Sequence, residues 1–311
     1  MPVLKLKPAC KDYLWGGEKL RTEYGLDGAG DRLAEGWMLS CHPDGPSVIE
    51  NGPYAGKTLA QYIEAEGKGV LGSFGLLFAD FPILIKLIDA KDNLSVQVHP
   101  SNKYAFAHEH QYGKTEMWYI LEAEPGAFLY YGFEKEIARA EFARRIETNT
   151  LLEVLHKQPV KKGDCCFIPS GTLHAIGKGI LLAEVQQNSN VTYRVYDYGR
   201  VGADGMPRAL HVAQAEAVTK CGPARTDYNF GGHLARCEYF TTDRLDGSFA
   251  DCCDDESFTS LLVLEGEGVL CCGGEGQPAK KGDSFFLPAE SGTYTLQGRV
   301  LSVLRTRVGT I

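Results

Sequence analysis

Alternation places three polar side chains on one face of a short strand. In Leu94-Ser95-Val96-Gln97-Val98-His99, residues two apart share a face, so Ser95, Gln97 and His99 look one way and Leu94, Val96 and Val98 the other. An amide oxygen and an imidazole nitrogen thereby converge, a pair of donors that could hold a cation. A lone pair of this kind more commonly completes core or surface hydrogen bonds, so the strand needs company before it means a site. Glu116 offers a carboxylate on Glu116-Met117-Trp118-Tyr119-Ile120, after the Gly113-Lys114 turn and with Trp118 on its own face. Taken alone, a strand-borne acid beside a Trp usually faces solvent.

A longer pattern supplies the company. Gly163-x5-Pro169-x-Gly171-x2-His174 has the logic of a strand, a Pro-Gly turn and a second strand that begins by aiming an imidazole inward. In every named position through the His it resembles the second conserved motif of the cupin superfamily; Lys178 stands where the trailing Asn of that motif would be. This resemblance makes a metal site the default reading. Gln97, His99, Glu116 and His174 then give two imidazoles, one carboxylate and one amide oxygen. Such nitrogen and oxygen ligation without sulfur suits Zn²⁺ in a catalytic setting, one ion per chain, although Mn²⁺, Fe²⁺ or Co²⁺ would be accepted chemically.

The elements that must position these residues are mainly β. The 36 Gly and 14 Pro punctuate short runs rich in Val, Ile, Leu, Phe and Tyr, with strands expected at 83–88, 94–99, 117–121, 128–131, 165–168, 180–187 and 192–196. Helix is expected at Thr58 to Glu66 and from Glu134 to Leu155, interrupted at Thr148-Asn149-Thr150. An internal echo organises the whole. Lys161-Lys162-Gly163-Asp164-Cys165-Cys166-Phe167-Ile168-Pro169 returns as Lys280-Lys281-Gly282-Asp283-Ser284-Phe285-Phe286-Leu287-Pro288, and Ile120-Leu121-Glu122 is echoed by Val263-Leu264-Glu265. Two related modules follow. The fold class is thus mainly β, two cupin (jelly-roll β-barrel) modules, with a helical insertion near 134–157 in the first. The chain should divide into a catalytic part at 1–222 and a degenerate module at 223–311. In the second module Thr259 stands for Glu116 and Thr295 for His174, so it should be structural.

Composition bounds the function. Of 311 residues, 32 are Lys or Arg and 40 Asp or Glu, a formal charge of −8, which disfavours a nucleic-acid partner. With 44% hydrophobic and 23% charged residues the chain has the material for a buried core and is not disordered. No apolar run reaches the ~20 residues that cross a bilayer, and the opening MPVLKLKPAC lacks the signal-peptide pattern; no membrane partner and a cytoplasmic location are expected. Ten cysteines, six of them in adjacent pairs and none in C-x-x-C, read as reduced thiols at apolar positions.

Several further stretches resemble one family closely. Leu4 to Pro8 through Tyr13-Leu14-Trp15-Gly16-Gly17, the run Ala34-Glu35-Gly36-Trp37-Met38-Leu39-Ser40-Cys41-His42-Pro43, then Ser95 to Pro100, Gly113 to Tyr119 and Asn190 to Asp197 are similar to the short bacterial form of type I mannose-6-phosphate isomerase (phosphomannose isomerase). The resemblance implies a zinc-dependent enzyme that interconverts mannose 6-phosphate and fructose 6-phosphate. It implies metal ligation by Gln97, His99, Glu116 and His174, a catalytic arginine at Arg194 and an active-site lysine at Lys114. Gly36 and Met38 depart from the Ser and Glu expected beside Trp37, which bears on substrate preference.

Aldose-ketose isomerisation moves a proton between C1 and C2 through a cis-enediol, so the site must acidify a C–H and stabilise an oxyanion. Arg194 suits the second need: it shares a strand face with Thr192 and Tyr196, opposite Val191, Tyr193 and Val195, and its alternative is an ion pair with Asp197. The base is Lys114 or a metal-bound water. The phosphate of this small-molecule substrate would be met by Lys103 and Ser101 on the loop after His99, with Arg200 a further option. His108, His110 and the acidic stretch Asp251 to Glu256 read as surface. Competing readings are another metal cupin, an iron oxygenase or a cupin-type glucose-6-phosphate isomerase, and a non-catalytic sugar-phosphate-binding cupin. The 17-residue step from His99 to Glu116 and the Gln in place of a first His disfavour the former. The oligomeric state is left open.

Overall fold

The computed structural model describes residues 3–201 and 205–309. The chain forms two compact units, one of Met1–Ile88, Ala183–Asn188 and Asn229–Ile311, the other of Asp89–Leu182 and Ser189–Tyr228. This differs from the linear division expected at 222/223. A passage between units does lie close by, at Tyr228/Asn229, but the first 88 residues cluster with the C-terminal ones. The reason is a strand pairing between distant parts of the sequence: Leu4–Lys7 lies antiparallel between Ser284–Leu287 and Val48–Ile49.

In the first unit one antiparallel sheet runs in the order Ala235–Arg236, Phe240–Asp246, Gly292–Val308, Thr259–Cys272, Ser284–Leu287, Leu4–Lys7 and Val48–Ile49. Leu261, Val263, Leu270, Phe285, Leu287, Tyr294 and Val303 form one buried apolar cluster. Helix Leu59–Glu66 begins where expected because Thr58 makes a capping box: its hydroxyl accepts from Gln61 N, and the Gln61 side chain accepts from Thr58 N.

The second unit contains a five-stranded antiparallel sheet in the order Tyr193–Tyr196, Val96–Val98, His174–Ile176, Phe128–Phe133 and Leu155–Pro159, and a second pair, Glu116–Ala123 with Cys165–Ile168. One face of the five-stranded sheet is apolar. Val96, Val98, Tyr130, Ala175, Tyr193 and Val195 pack there against Phe142 and Ile146 of helix Arg139–Glu147 and Ala215 of helix Val212–Val218. The insertion near 134–157 is therefore less helical than its periodicity suggests. Glu134 N donates to Val154 O and Ile137 N to Cys221 O, contacts that hold residues before Arg139 out of a helix. Asn149 takes a positive φ of 58° at the expected interruption, a short 3-10 turn follows at Leu151–Val154, and Leu155 already begins a strand. Among the described residues no helix is long and apolar enough to cross a membrane.

Candidate metal centre

The strand-face alternation holds. Val96 and Val98 are fully buried in the apolar cluster, which turns Gln97 to the opposite face. Cross-strand register then aligns three of the sequence candidates in one row: Arg194 lies opposite Gln97, and Gln97 opposite His174. Directly opposed residues project from the same side of a sheet, so all three share the face away from the apolar cluster.

His99, Glu116 and His174 meet, all three buried, with their donor atoms within 4.8 Å of one another. His174 Nε2 is 3.2 Å from Glu116 Oε1, and His99 Nε2 is 3.6 Å from Glu116 Oε2. Each ring is anchored at its other nitrogen, His99 Nδ1 by Val191 O at 2.7 Å and His174 Nδ1 by Thr172 O at 2.9 Å. A carbonyl oxygen only accepts, so both Nδ1 atoms carry the proton, and in the neutral rings both Nε2 lone pairs face the carboxylate. That is the tautomer in which an imidazole binds a metal. The two Nε2–oxygen separations bracket the edge of a tetrahedron, about 3.3 Å, around an ion with bonds of ~2.0–2.1 Å. The donor set fits a dication.

Around this cluster Lys114, also buried, places Nζ 3.0 Å from Glu116 Oε2. Its backbone is fixed by Lys114 N donating to Pro100 O, and the preceding Gly113 N donates to Asn102 Oδ1. Trp118 meets the His174 ring edge-on at 5.3 Å, which closes one wall. Arg194 Nε donates to Ser95 Oγ at 3.3 Å and Nη1 to Ala209 O at 3.2 Å. Burial and the nearby Arg208 guanidinium pull the Arg194 pKa below its ordinary range, with Asp197 opposing.

Two sequence expectations about this strand need correction. A bulge intervenes after Arg194, since Tyr196 pairs with Val96 although Arg194 pairs with Gln97. Tyr196 is thereby carried onto the apolar cluster and does not share the face of Arg194. The alternative partner Asp197 is also engaged elsewhere, by Arg200 and Arg208.

The expected phosphate contacts are exposed or engaged in ion pairs. Ser101 is the exposed residue just before helix Asn102–His108, and Lys103 is exposed on its first turn, so the stretch expected as a loop is the start of a helix. Arg200 donates to Asp197 Oδ1 at 2.5 Å and to Asn93 O at 2.7 Å. His108 and His110 are exposed, as expected. Residues the sequence did not single out include His211, whose backbone N donates to Arg194 O at 2.8 Å and whose Nδ1 accepts from Arg194 N at 3.2 Å. Burial and Arg194 push its pKa down, Glu109 opposing. In the other unit a buried Lys86 lies 3.5 Å from Glu35 and 3.2 Å from Glu184, under the Trp37 ring. Trp37 Nε1 donates to the same Glu35 at 2.7 Å. No local spacing signals that cluster, because its three charged members come from three strands.

Fold and site together define a cupin in which one module carries a buried His–Glu–His centre. Comparison with known proteins agrees. Residues 3–124 match the family model for the catalytic domain of type I phosphomannose isomerase, and residues 232–306 the model for the mannose-6-phosphate isomerase cupin domain. The mannose-6-phosphate isomerase ManA of Bacillus subtilis is 39% identical over 309 residues, covering 95% of this chain and 96% of that protein. The mannose-6-phosphate isomerase of Streptococcus mutans is 39% identical over 92% of each chain. The crystal structure of mannose 6-phosphate isomerase from Bacillus subtilis superposes with a TM-score of 0.89 at 37% identity, covering 98% of this chain and 99% of that one. The chain belongs to the type I mannose-6-phosphate isomerase family.

Proposed function

We propose that the chain is a zinc-dependent aldose-ketose isomerase that interconverts mannose 6-phosphate and fructose 6-phosphate through a cis-enediol. The observation that carries this reading is the pair of imidazoles, each tied at Nδ1 to a backbone carbonyl, turned toward one buried carboxylate. Gln97, His99, Glu116 and His174 would hold one zinc ion. When bound, the ion supplies Lewis acidity toward the substrate's carbonyl and hydroxyl oxygens.

The chain's own residues do the rest. Arg194, in the same sheet row as Gln97 and His174, directs a guanidinium whose orientation is set by Ser95 and Ala209, and it takes up negative charge that develops on the substrate oxygen. Lys114 holds and releases the proton that leaves one carbon and returns to the other; it sits buried, 3.0 Å from Glu116, within the same volume. Lys103 and Ser101, on the exposed start of their helix, meet the phosphate from the solvent side. All ten cysteines are free thiols, which fits a reducing cytoplasmic setting.

A coupled assay with mannose 6-phosphate tests the reading. Turnover should vanish on chelation, return with Zn²⁺, and fall sharply in Arg194→Ala. Oxygen uptake that depends on metal, or zinc-independent isomerisation, would sink it.

A further inference from the structure

Arg194 is held chiefly from one short segment. Its Nη1 donates to Ala209 O, its backbone N to His211 Nδ1, and its backbone O accepts from His211 N; from the other side it is held by Ser95 Oγ and by the pairing of its strand with Val96–Val98. Residues 209–211 are anchored from both sides: downstream His211 caps helix Val212–Val218, its O accepting from Ala215 N, and upstream stands an ion-pair cluster. Arg208 grips the Asp197 carboxylate with two parallel bonds, Nε to Oδ2 at 2.7 Å and Nη2 to Oδ1 at 2.6 Å. Arg200 adds Nη2 to Oδ1 at 2.5 Å and ties the cluster to Asn93 O through Nη1. Val201 and Pro207 form an isolated bridge between the two arginines. Asp197 itself is only 7% exposed and follows the bulge that leaves Arg194 on the site face.

We propose that Asp197 is the positioning residue for Arg194, acting through Arg208: its carboxylate staples the two ends of the segment 197–208, so that Ala209 O and His211 reach Arg194 in register. The proposal rests on the catalytic reading of Arg194 given above. Two parallel charge-assisted bonds define both distance and plane, which a single bond to a flexible side chain does not. Burial raises the Asp197 pKa, and Arg208 and Arg200 more than reverse this, holding it below the ordinary range; the staple is therefore closed at neutral pH. Without it the acceptor Ala209 O loses its upstream anchor, and a misplacement near 1 Å at a catalytic group costs up to about 10²-fold in rate.

The test uses the zinc-loaded enzyme and the mannose 6-phosphate assay. Asp197→Asn should lower kcat by roughly 10- to 100-fold and leave KM within about threefold, with zinc content unchanged. In an Arg194→Lys background the same change should cost less than about twofold, because an arginine already removed cannot be mispositioned. A purely structural role predicts losses that multiply. Arg208→Lys, which keeps the charge but not the fork, should reproduce the kcat loss in part and carries the test if Asp197→Asn does not fold. The inference is overturned by an Asp197→Asn or Arg208→Lys enzyme with wild-type kcat, or by multiplicative losses. Wild-type kcat in Arg194→Lys and Arg194→Ala would instead overturn the catalytic assignment of Arg194 itself.

Discussion

The two barrels turn the same corner and then diverge. In one, Asp164 Oδ2 accepts from Lys161 N, Gly163 has a φ of 92°, Gly163 N donates to Ile120 O and Ile120 N to Asp164 O. In the other, Asp283 Oδ2 accepts from Lys280 N, Gly282 has a φ of 90°, Gly282 N donates to Val263 O and Val263 N to Asp283 O. Both turns need glycine, because that φ is reached cheaply only without a Cβ. The strands that follow keep register too, Ile168 opposite Glu116 and Leu287 opposite Thr259. The filling differs. Around Glu116 stand two imidazoles and a lysine; on the face of Thr259 stand Leu261, Leu287 and Val303, with Arg307 directly opposite Thr259 and Arg305 opposite Leu261. Thr295 lies between Tyr294 and Leu296, both members of that cluster, and so faces away from it, while Tyr294 gives its hydroxyl to Asp251. Arg305 spans Asp243 and Asp251. One backbone plan thus carries either a buried His–Glu–His cluster or an apolar plug with guanidinium–carboxylate pairs, and a few inward positions decide which.

The comparison breaks most visibly at His174. His174→Ala should remove zinc and lower turnover by at least about 10³-fold, the equivalent of roughly 4 kcal/mol in the barrier. Thr295→Ala, at the position the sequence aligns with His174 but which faces outward, should leave turnover within about twofold. Comparable activities in the two variants would mean that the barrels do not divide the labour as described. Grafting the acid alone, Thr259→Glu, should leave zinc at one ion per chain, since what stands opposite the new carboxylate is the Arg307 side chain and not an imidazole. A second zinc in elemental analysis would count against the filling argument. Chelation should destabilise the enzyme by about 2.7 kcal/mol relative to a solution with free zinc at 100 times Kd, and thermal melts should show it in wild type but not in His174→Ala. The smallest effect concerns acid. Asp197 titrates below its ordinary 3.8 in the folded chain, so the stability it adds is present above that value and is lost as pH falls through the folded pKa. Asp197→Asn should flatten this part of an acid-unfolding profile and lower stability across the neutral plateau, where the wild-type carboxylate is ionised, with the two profiles converging in acid.

Local rules made much of the site legible. Period-two alternation was enough to set Gln97 and His99 apart from Val96 and Val98, and the Gly163 to His174 spacing led to an imidazole that does meet His99. The repeat of the Lys-Lys-Gly-Asp turn disclosed two related barrels. What escaped is what spacing does not encode. One added residue at Val195 reversed the side of Tyr196, and alternation has no sign of a bulge. Lys86, Glu35 and Glu184 come together only through the assembly of separate strands. Spacing predicts more helix in the insertion than forms, because buried Phe142 and Ile146 share helical spacing with Phe133, which belongs to a strand.

The pairing of Leu4–Lys7 with Ser284–Leu287 also sets a timetable. At about 5–20 residues per second, a ribosome takes roughly 14–56 s to make the 280 or so residues that separate these partners. During that interval the early strand has an open edge and apolar Val3, Leu4 and Leu6 without their native cover. The other unit, whose last residue is Tyr228, has all its parts sooner. The unit without the His99–Glu116–His174 cluster is therefore the one whose first strand waits longest for its partner.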